Sequence, residues 1–524
     1  MNQFRSHYDV VIIGAGLGGL SAGVSLSKSG RSVLVVERNP QPGGNCSMRS
    51  IGPYRFDVAL HEFTGGAPGG EAGAIFEEFG VAGEIDFREI DPFMVVDMPD
   101  ASYPLPTSTE AFRDFLVDRF PHERSGIERL MVRVDEIRRD SLIGQRLVWG
   151  DSPAISDLLD RELTLPKYLT FPVTMARAFL RHADQTALDM LSEFVRDPRL
   201  VGVLTAPWPY LGAPPHVFGA FLFSLWVSCH GTERQHYPVG GSQKIADVLA
   251  GAVRRYGGDV LLDTEVTRLV VKGGRARGVE LGGQHQVTAD VVVSNIAPRY
   301  LLEKLVDPGE APALYLNKLR RMRPSIGPFV VYLGVDLDIA KSDLPHETIV
   351  YDAYDQTDVW SRMERGLPAG FSIYSPAHVD TSFAPPGHGT VTLTTMFPWR
   401  TEQDWRTHED AVADEMIARA EKRVPGLASH VKVRRILTPE KLQAFSHATD
   451  GAMYGWENSP EQVVTRRMPQ RLPIENLYQV GHWTQPGTGM NATVMSGWRL
   501  GHHLRREQSR SRAWSAISAA IGRD

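Results

Sequence analysis

Only two cysteines, Cys46 and Cys229, occur in 524 residues. Two thiols build neither a disulfide framework nor a thiolate metal cluster, and a reducing compartment suits the chain. Positive charge is not in excess: 56 Lys and Arg stand against 62 Asp and Glu, a formal net charge of −6. A basic face for nucleic acid is therefore not expected. No uninterrupted apolar run reaches the roughly 18–20 residues that cross a bilayer. The nearest, FGAFLFSLWVSCHG from Phe218 to Gly231, is short and ends in polar residues. The N-terminal MNQFRSHYDVVIIGAG lacks the charged region, apolar region and cleavage site of a secretory signal. A cytoplasmic protein is expected. The histidines show no H-x-x-x-H pair, so no metal site is expected.

What is present is ordinary in composition, with 42% hydrophobic and 23% charged residues. The length exceeds one ordinary core and predicts two intermixed domains. The informative stretch is VVIIGAGLGGLSAGVSLSKSG, Val10 to Gly30. Tyr8 to Ile13 reads as a parallel strand buried on both faces. Gly14-Ala15-Gly16-Leu17-Gly18-Gly19 matches G-x-G-x-x-G, and Leu20 to Ser29 reads as a helix ending at Gly30. RSVLVVE follows as a second buried strand that ends on Glu37. Gly14 permits the tight turn, Gly16 lets backbone approach a pyrophosphate, and Gly19 lets helix and strand pack closely. The helix start offers free N–H groups and partial positive charge. Glu37 stands 23 residues after Gly14, near the spacing for an acid on ribose hydroxyls.

A second strand–glycine loop–helix unit lies near the other end, in VGHWTQPGTGMNATVMSGWRLGHHL. Asn476 to Val480 reads as a strand, Gly481 opens the loop, and Asn491 to Leu500 reads as a helix. Its start can also stabilise negative charge, through N–H groups of Gly489, Met490 and Asn491. Both ends are expected to hold one long dinucleotide. Between them, roughly Pro104 to His236 carries helical patterns at Glu110 to Phe120 and Ile155 to Phe194. Roughly Ser325 to Pro398 reads as strands: FVVYLGVDLD, ETIVYD, FSIYSP and TVTLTTMF. An antiparallel sheet over the cofactor is the natural reading.

From Gly14 to Asp57 the chain resembles the phytoene desaturase-like flavoproteins, within the wider group of amine oxidases and Rab GDP-dissociation inhibitors. Further resemblances are GPYRFDVALHEF (Gly52 to Phe63), the stretch from Tyr237 to Leu281, ADVVVSNIAP (Ala289 to Pro298), and the rear glycine loop. YPVGG and GAMYGWE (Gly451 to Glu457) look most like the carotenoid isomerase and retinol saturase branch. The resemblance implies FAD. It places Arg38, Gly43, Gly44 and Asn45 towards the flavin, pairs backbone near Val266 with adenine, and sets the rear helix start beside the N1–C2=O edge. Relatives usually carry Gly where this chain has Ala59, and often Arg or Cys at Asn45, so the pocket shape differs there.

The implied fold is α/β: a discontinuous two-domain flavoprotein, a Rossmann-like FAD-binding domain with a mixed α+β substrate domain. Residues 1–103, 237–324 and 451–502 are expected to form the FAD-binding domain. Residues 104–236 are expected as a helical substrate or membrane-facing region, 325–450 as the antiparallel-sheet substrate domain, and 503–524 as a tail. The implied function is FAD-dependent oxidation or reduction of a long apolar, polyene or isoprenoid substrate at flavin N5. Desaturation, saturation and cis–trans isomerisation all fit, and the electron acceptor is left open. The alternatives are an FAD amine oxidase and a GDI-like isoprenoid-binding protein without catalysis. Candidate pocket groups are His61, Tyr237, Tyr454, Trp456, Glu457 and Trp483. Aromatics there suit a flat substrate, and His61 or Glu457 suits proton movement. Cys46 is expected to pack or line the pocket. The Arg-bearing tail, with Arg505, Arg506, Arg510 and Arg512 before Trp514 and Ile517, reads either as a packed terminal helix or as a peripheral membrane contact.

Overall fold

The computed structural model describes residues 4–149, 181–463 and 466–521. Its first layer is a seven-stranded sheet in the order Asp259–Leu261, Val33–Val36, His7–Ile13, His285–Ser294, Arg275–Leu281 and Val266–Lys272. Leu477–Gln479 adds to it by pairing in parallel with the end of His285–Ser294. The two termini of the sequence therefore meet in one sheet. The strands around His7–Ile13 are parallel, and both of their faces are covered. Val10, Ile12, Val33 and Val35 enter one core, while Val11, Ile13, Leu34 and Val36 enter the opposite one. Period-two alternation between two apolar cores explains the unbroken Val/Ile runs.

The front helix, Leu17–Lys28, is buried at every residue but Lys28. A helix covered on all sides must be small-sided, and this one carries four residues, Gly18, Gly19, Ala22 and Gly23, with little or no side chain. The rear helix, Met490–Ile521, crosses it at glycines. A Cβ on Gly497 would stand 2.1 Å from the carbonyl oxygen of Gly18, and one on Gly501 2.1 Å from Ser25 Oγ. Ser21 Oγ donates to the Val494 carbonyl at 2.6 Å. Backbone touches backbone at this crossing. The rear helix continues through the stretch expected as a separate tail, and its side chains from 508 onward, including Arg510 and Arg512, lie outside the described residues.

The second layer is a seven-stranded sheet in the order Val431–Leu437, Gly327–Val335, Gly389–Phe397, Gly370–Tyr374, Glu347–Tyr351, Met94–Asp97 and Ser102–Leu105. The four strand runs expected between Ser325 and Pro398 are all in it. Neighbours are antiparallel except Met94–Asp97, which runs parallel to Glu347–Tyr351. Two of its strands thus begin before position 103, the expected boundary of the first segment. Helices Thr109–Arg119, Arg124–Trp149, Ala187–Ser192, Pro198–Thr205 and Ala220–Glu233 share its core. Ser108 Oγ caps the first of these by accepting from Ala111 N at 3.0 Å. The expected helical stretch from Ile155 onward lies outside the described residues up to 180. Among the described residues no helix is long and apolar enough to cross a membrane.

One buried carboxyl ties the layers together. Asp57 Oδ2 accepts from the Tyr237 hydroxyl at 2.5 Å and the Tyr374 hydroxyl at 3.0 Å, and Oδ1 accepts from Ser242 N at 2.8 Å. Burial pushes the Asp57 carboxyl up and the two phenols well up, so the phenols stay donors.

Candidate active site

A trough of about 220 Å³ lies along the ends of the first sheet's strands. Gly14, Gly16, Leu17 and Gly18 line it from the front loop, and Gly481, Gly489 and Met490 line it from the rear loop. Glu37, Arg38, Gly43, Gly44, Asn45 and Val266 also face it. Ala15, Gly19 and Asn491 do not. Ala15 N donates to Glu37 Oε2 at 2.9 Å. Gly19 packs so tightly that a Cβ would stand 2.2 Å from the Gly14 carbonyl oxygen. Asn491 Oδ1 accepts from Ala492 N at 2.8 Å, at the start of the rear helix. Glu37 Oε1 accepts from the backbone and side-chain nitrogens of Asn39 at 2.9 and 2.8 Å, which fixes the carboxylate at the trough wall.

Between the two loops stands a residue that is not among the candidate site residues, although it lies within the ADVVVSNIAP stretch. Asn295 follows the strand His285–Ser294. Its Nδ2 lies 2.5 Å from where a Cβ on Gly16 would be. Its Oδ1 lies 2.7 Å from the Cβ position of Gly18 and 2.5 Å from that of Gly481. A Cβ on Gly18 would also stand 2.8 Å from Gly481 N. The front and rear loops therefore close on one another around a single amide. Its sequence signal was a polar residue ending a buried strand beside I-A-P.

At one end, Thr264, Glu265, Tyr300 and the turn Phe445 to Ala448 complete the wall. His447 stacks on Tyr300 with centroids 3.9 Å apart and 12° between planes. Arg38, expected towards the flavin, is instead held at this end of the trough, where it fixes the turn by donating to the Ala444 carbonyl at 2.7 Å and to His447. At the other end stand Ala59, Cys46, Met453, Tyr454, His482 and Trp483. Asn45 Nδ2 donates to the Met453 carbonyl at 3.3 Å. Trp456 does not reach the trough: it is fully buried and meets Trp483 edge to face at 4.9 Å. Glu457 does not line the trough either. Its Oε1 accepts from Arg323 Nε at 2.6 Å. Burial pushes the Cys46 thiol up, leaving it unreactive.

A second cavity of about 30 Å³ shares Ala59, Met453 and Tyr454 with this end of the trough. His61 lines it and stacks on Tyr374, with centroids 4.3 Å apart and 2° between planes. His61 Nδ1 lies 2.8 Å from the Tyr210 hydroxyl and 3.0 Å from Glu347 Oε1. Tyr210 donates to the same carboxyl oxygen. Burial and then Glu347 push the Tyr210 phenol well up, so it keeps its proton. A carboxyl oxygen accepting beside Nδ1 makes Nδ1 the protonated nitrogen and leaves Nε2 as the basic one. Among the described residues no cluster of His, Cys, Asp and Glu has the makeup of a metal site.

Two histidines, His346 and His482, are held neutral. Burial pulls His346 down to about 4, and burial with the nearby Arg467 pulls His482 down to about 3, from 6.5. Below pH 6.5 the unfolded chain binds protons that the folded chain refuses, so stability is full above that pH and falls as pH drops. Each histidine contributes about 1.4 kcal/mol per pH unit in that window. Unfolding free energy from urea titration is expected to be about 4 kcal/mol lower at pH 5.0 than at pH 7.5. Equal values at the two pH values contradict the neutral assignment.

The trough fits a dinucleotide. The first turn of the front helix carries no side-chain cap, so its N–H groups stay available for phosphate. The glycines there let the front and rear loops close on Asn295 beneath the trough, where any Cβ would collide, and Glu37 offers acceptors to ribose. The comparisons with known proteins agree. The profile of the family described as flavin containing amine oxidoreductase matches residues 17–500. Prolycopene isomerase 2 of an Oncidium hybrid cultivar is 28% identical, over 98% of this chain and 86% of its own. The zeta-carotene-forming phytoene desaturase of Myxococcus xanthus is 28% identical, over 93% and 92%. The structure of cyclohexylamine oxidase from Brevibacterium oxydans superposes with a TM-score of 0.61 at 16% identity, over 96% of this chain and 99% of that one, which shows a shared fold. The chain belongs to the flavin-containing amine oxidoreductase family, in its phytoene desaturase-like branch, and is an FAD-dependent oxidoreductase.

Proposed function

We propose that the chain acts on a long apolar polyene, changing the redox state or geometry of its C=C bonds. The observation that carries this reading is the junction of the trough with a second cavity through Ala59, Met453 and Tyr454. The names of its relatives, an isomerase and a desaturase of carotenoids, support the substrate class. FAD supplies hydride exchange at its N5 when bound. Front-loop N–H groups hold its pyrophosphate, and Glu37 holds its ribose. Backbone at Val266, with the Tyr300–His447 stack, borders the adenine. Gly489 and Met490, at the start of the rear helix, offer N–H groups to negative charge on the ring system. Tyr454 and Trp483 give the substrate flat apolar contact. His61, oriented by Glu347 through Nδ1, holds or moves a proton at Nε2. Glu457, paired with Arg323, keeps the loop carrying Trp456 in place.

The test is anaerobic. All-trans and cis polyenes are added to the flavin-loaded enzyme while its visible absorbance is followed, and products are separated afterwards. Bleaching with a desaturated product marks oxidation. Turnover by pre-reduced enzyme without net electron use marks isomerisation. A flavin reduced by alkylamines and inert to every polyene refutes the reading.

A further inference from the structure

We propose that His482 holds the ribityl chain of FAD, exchanging hydrogen bonds with its hydroxyls. The inference concerns the cofactor and does not depend on the polyene reading.

The place of His482 follows from its two neighbours in the chain. Gly481, before it, closes on the front loop: a Cβ on Gly18 would stand 2.8 Å from Gly481 N. Trp483, after it, lines the far end of the trough with Tyr454. The front loop serves the pyrophosphate, and the far end borders the ring system. What joins pyrophosphate to ring in FAD is the ribityl chain, a run of carbons that carry hydroxyls. His482 itself lines the trough.

Several polar side chains on the trough wall are committed to the protein. Asn45 donates to the Met453 carbonyl, Thr264 to the Leu262 carbonyl and Thr493 to the Met490 carbonyl. The His482 ring is not committed. Its backbone carbonyl accepts from Arg467 Nη2 at 2.6 Å, but the ring meets only carbon. Trp483 stands edge-on at 5.3 Å and 77°, and Cδ2 lies 3.1 Å from the Cβ position of Gly455. Neither ring nitrogen has a hydrogen-bond partner among the described residues. Ring nitrogens of His182, His236 and His346 are both unpartnered and shut off from solvent, and those of His482 are not shut off. The trough is the open space beside them.

Charge decides which part of the cofactor suits this ring. Burial, and then Arg467, pull His482 down to about 3, so the ring is neutral. Arg467 thus pins the His482 carbonyl and keeps the ring from protonating. A neutral imidazole has one N–H donor and one acceptor nitrogen. Phosphate oxygens only accept, and a cation or a set of N–H groups serves them better. The negative edge of the ring system likewise needs donors alone. A hydroxyl both gives and takes, which matches a neutral imidazole with two open nitrogens. Once the cofactor displaces water from the trough, these nitrogens are costly unless it supplies partners.

The full-length chain, stripped of flavin, is titrated with FAD and with its 2′-, 3′- and 4′-deoxyribityl analogues. Dissociation constants are read from quenching of flavin fluorescence. In wild type at least one analogue is expected to bind about tenfold more weakly than FAD, a difference of about 1.4 kcal/mol. In His482→Phe, FAD should weaken to that level, while the same analogue stays within about twofold of its wild-type value. His482→Gln keeps a donor and an acceptor and should hold FAD within about threefold of wild type. Equal binding of FAD and every analogue by wild type overturns the proposal. So does a His482→Phe variant that holds FAD as wild type does, or one that loses FAD and all analogues in equal measure. Should the phenylalanine variant not fold, His482→Ala is titrated in its place against the same outcomes. A wild-type chain that takes up no FAD refutes the cofactor assignment itself; uptake without dependence on any hydroxyl overturns this inference only.

Discussion

Replacing Gly16 with valine is expected to give folded protein that holds no FAD. Gly16 has φ near −70°, so valine suffers no backbone strain at the helix cap. The obstruction is Asn295. A Cβ stands 2.5 Å from Asn295 Nδ2, so the loop must shift, and its N–H groups then no longer sit where they would meet a pyrophosphate. Loss of two charge-assisted hydrogen bonds, at about 2 kcal/mol each, lowers FAD affinity by about a thousandfold. The core is untouched, so the melting temperature of the apoprotein should stay within a few degrees of wild-type apoprotein. The measurement is the ratio of visible flavin absorbance to protein absorbance after purification, beside a thermal melt. Full flavin occupancy in the variant shows that the front loop is not the phosphate site.

The second large effect is expected from Arg467→Met. Arg467 is buried, with 2% exposure. Among the described residues it has no carboxylate partner, and burial pulls its pKa down to about 9. Such a placement is costly, and the geometry shows what opposes the cost. Nη1 donates to Asn458 Oδ1 at 2.9 Å, and Nη2 reaches the His482 carbonyl at 2.6 Å and the Trp456 carbonyl at 3.3 Å. One guanidinium thus fastens the Tyr454–Asn458 turn to the rear glycine loop. Methionine fills the volume but leaves these acceptors without donors. A loss of about 3 kcal/mol follows, at about 1 kcal/mol for each orphaned acceptor. Tyr454 and Trp483 should lose their common frame, and FAD should dissociate at lower denaturant than the chain unfolds. Lysine at the same place keeps the charge without the planar fork and should recover part of the stability. A methionine variant as stable as wild type, and as tightly flavinated, shows that the fastening is dispensable.

The parts legible in the sequence are those where local chain geometry and chemistry coincide. A strand, a glycine turn and a helix must be contiguous to bind phosphate, so Gly14 to Glu37 could be read in one pass. The rear unit has the same grammar. The four strand runs after Ser325 were visible because the strands are buried on both faces, which leaves short runs rich in β-branched and aromatic residues bounded by turns. Convergence over distance was not legible. Asn295 gains its role from touching Gly16 and Gly481, and nothing in its neighbours states that. The Phe445–Ala448 turn follows the edge strand Val431–Leu437 of the second sheet. His61, Tyr210 and Glu347 meet across 149 and 286 residues, and only strand register brings Glu347 beside Tyr374. Glu457 looked like a pocket group because it follows Trp456, yet successive residues on an extended stretch point opposite ways. Trp456 turned inward, and Glu457 turned to Arg323.

The glycine crossing of the front and rear helices carries a consequence for how the enzyme is made. The phosphate loop is translated long before its partners: Gly18 meets its neighbours Gly481 and Gly497 only after the rear loop and helix have left the ribosome. A nascent chain halted before that point exposes a bare sheet edge and half a cradle. The cradle is therefore complete only once the rear loop has been made and has closed on the front one.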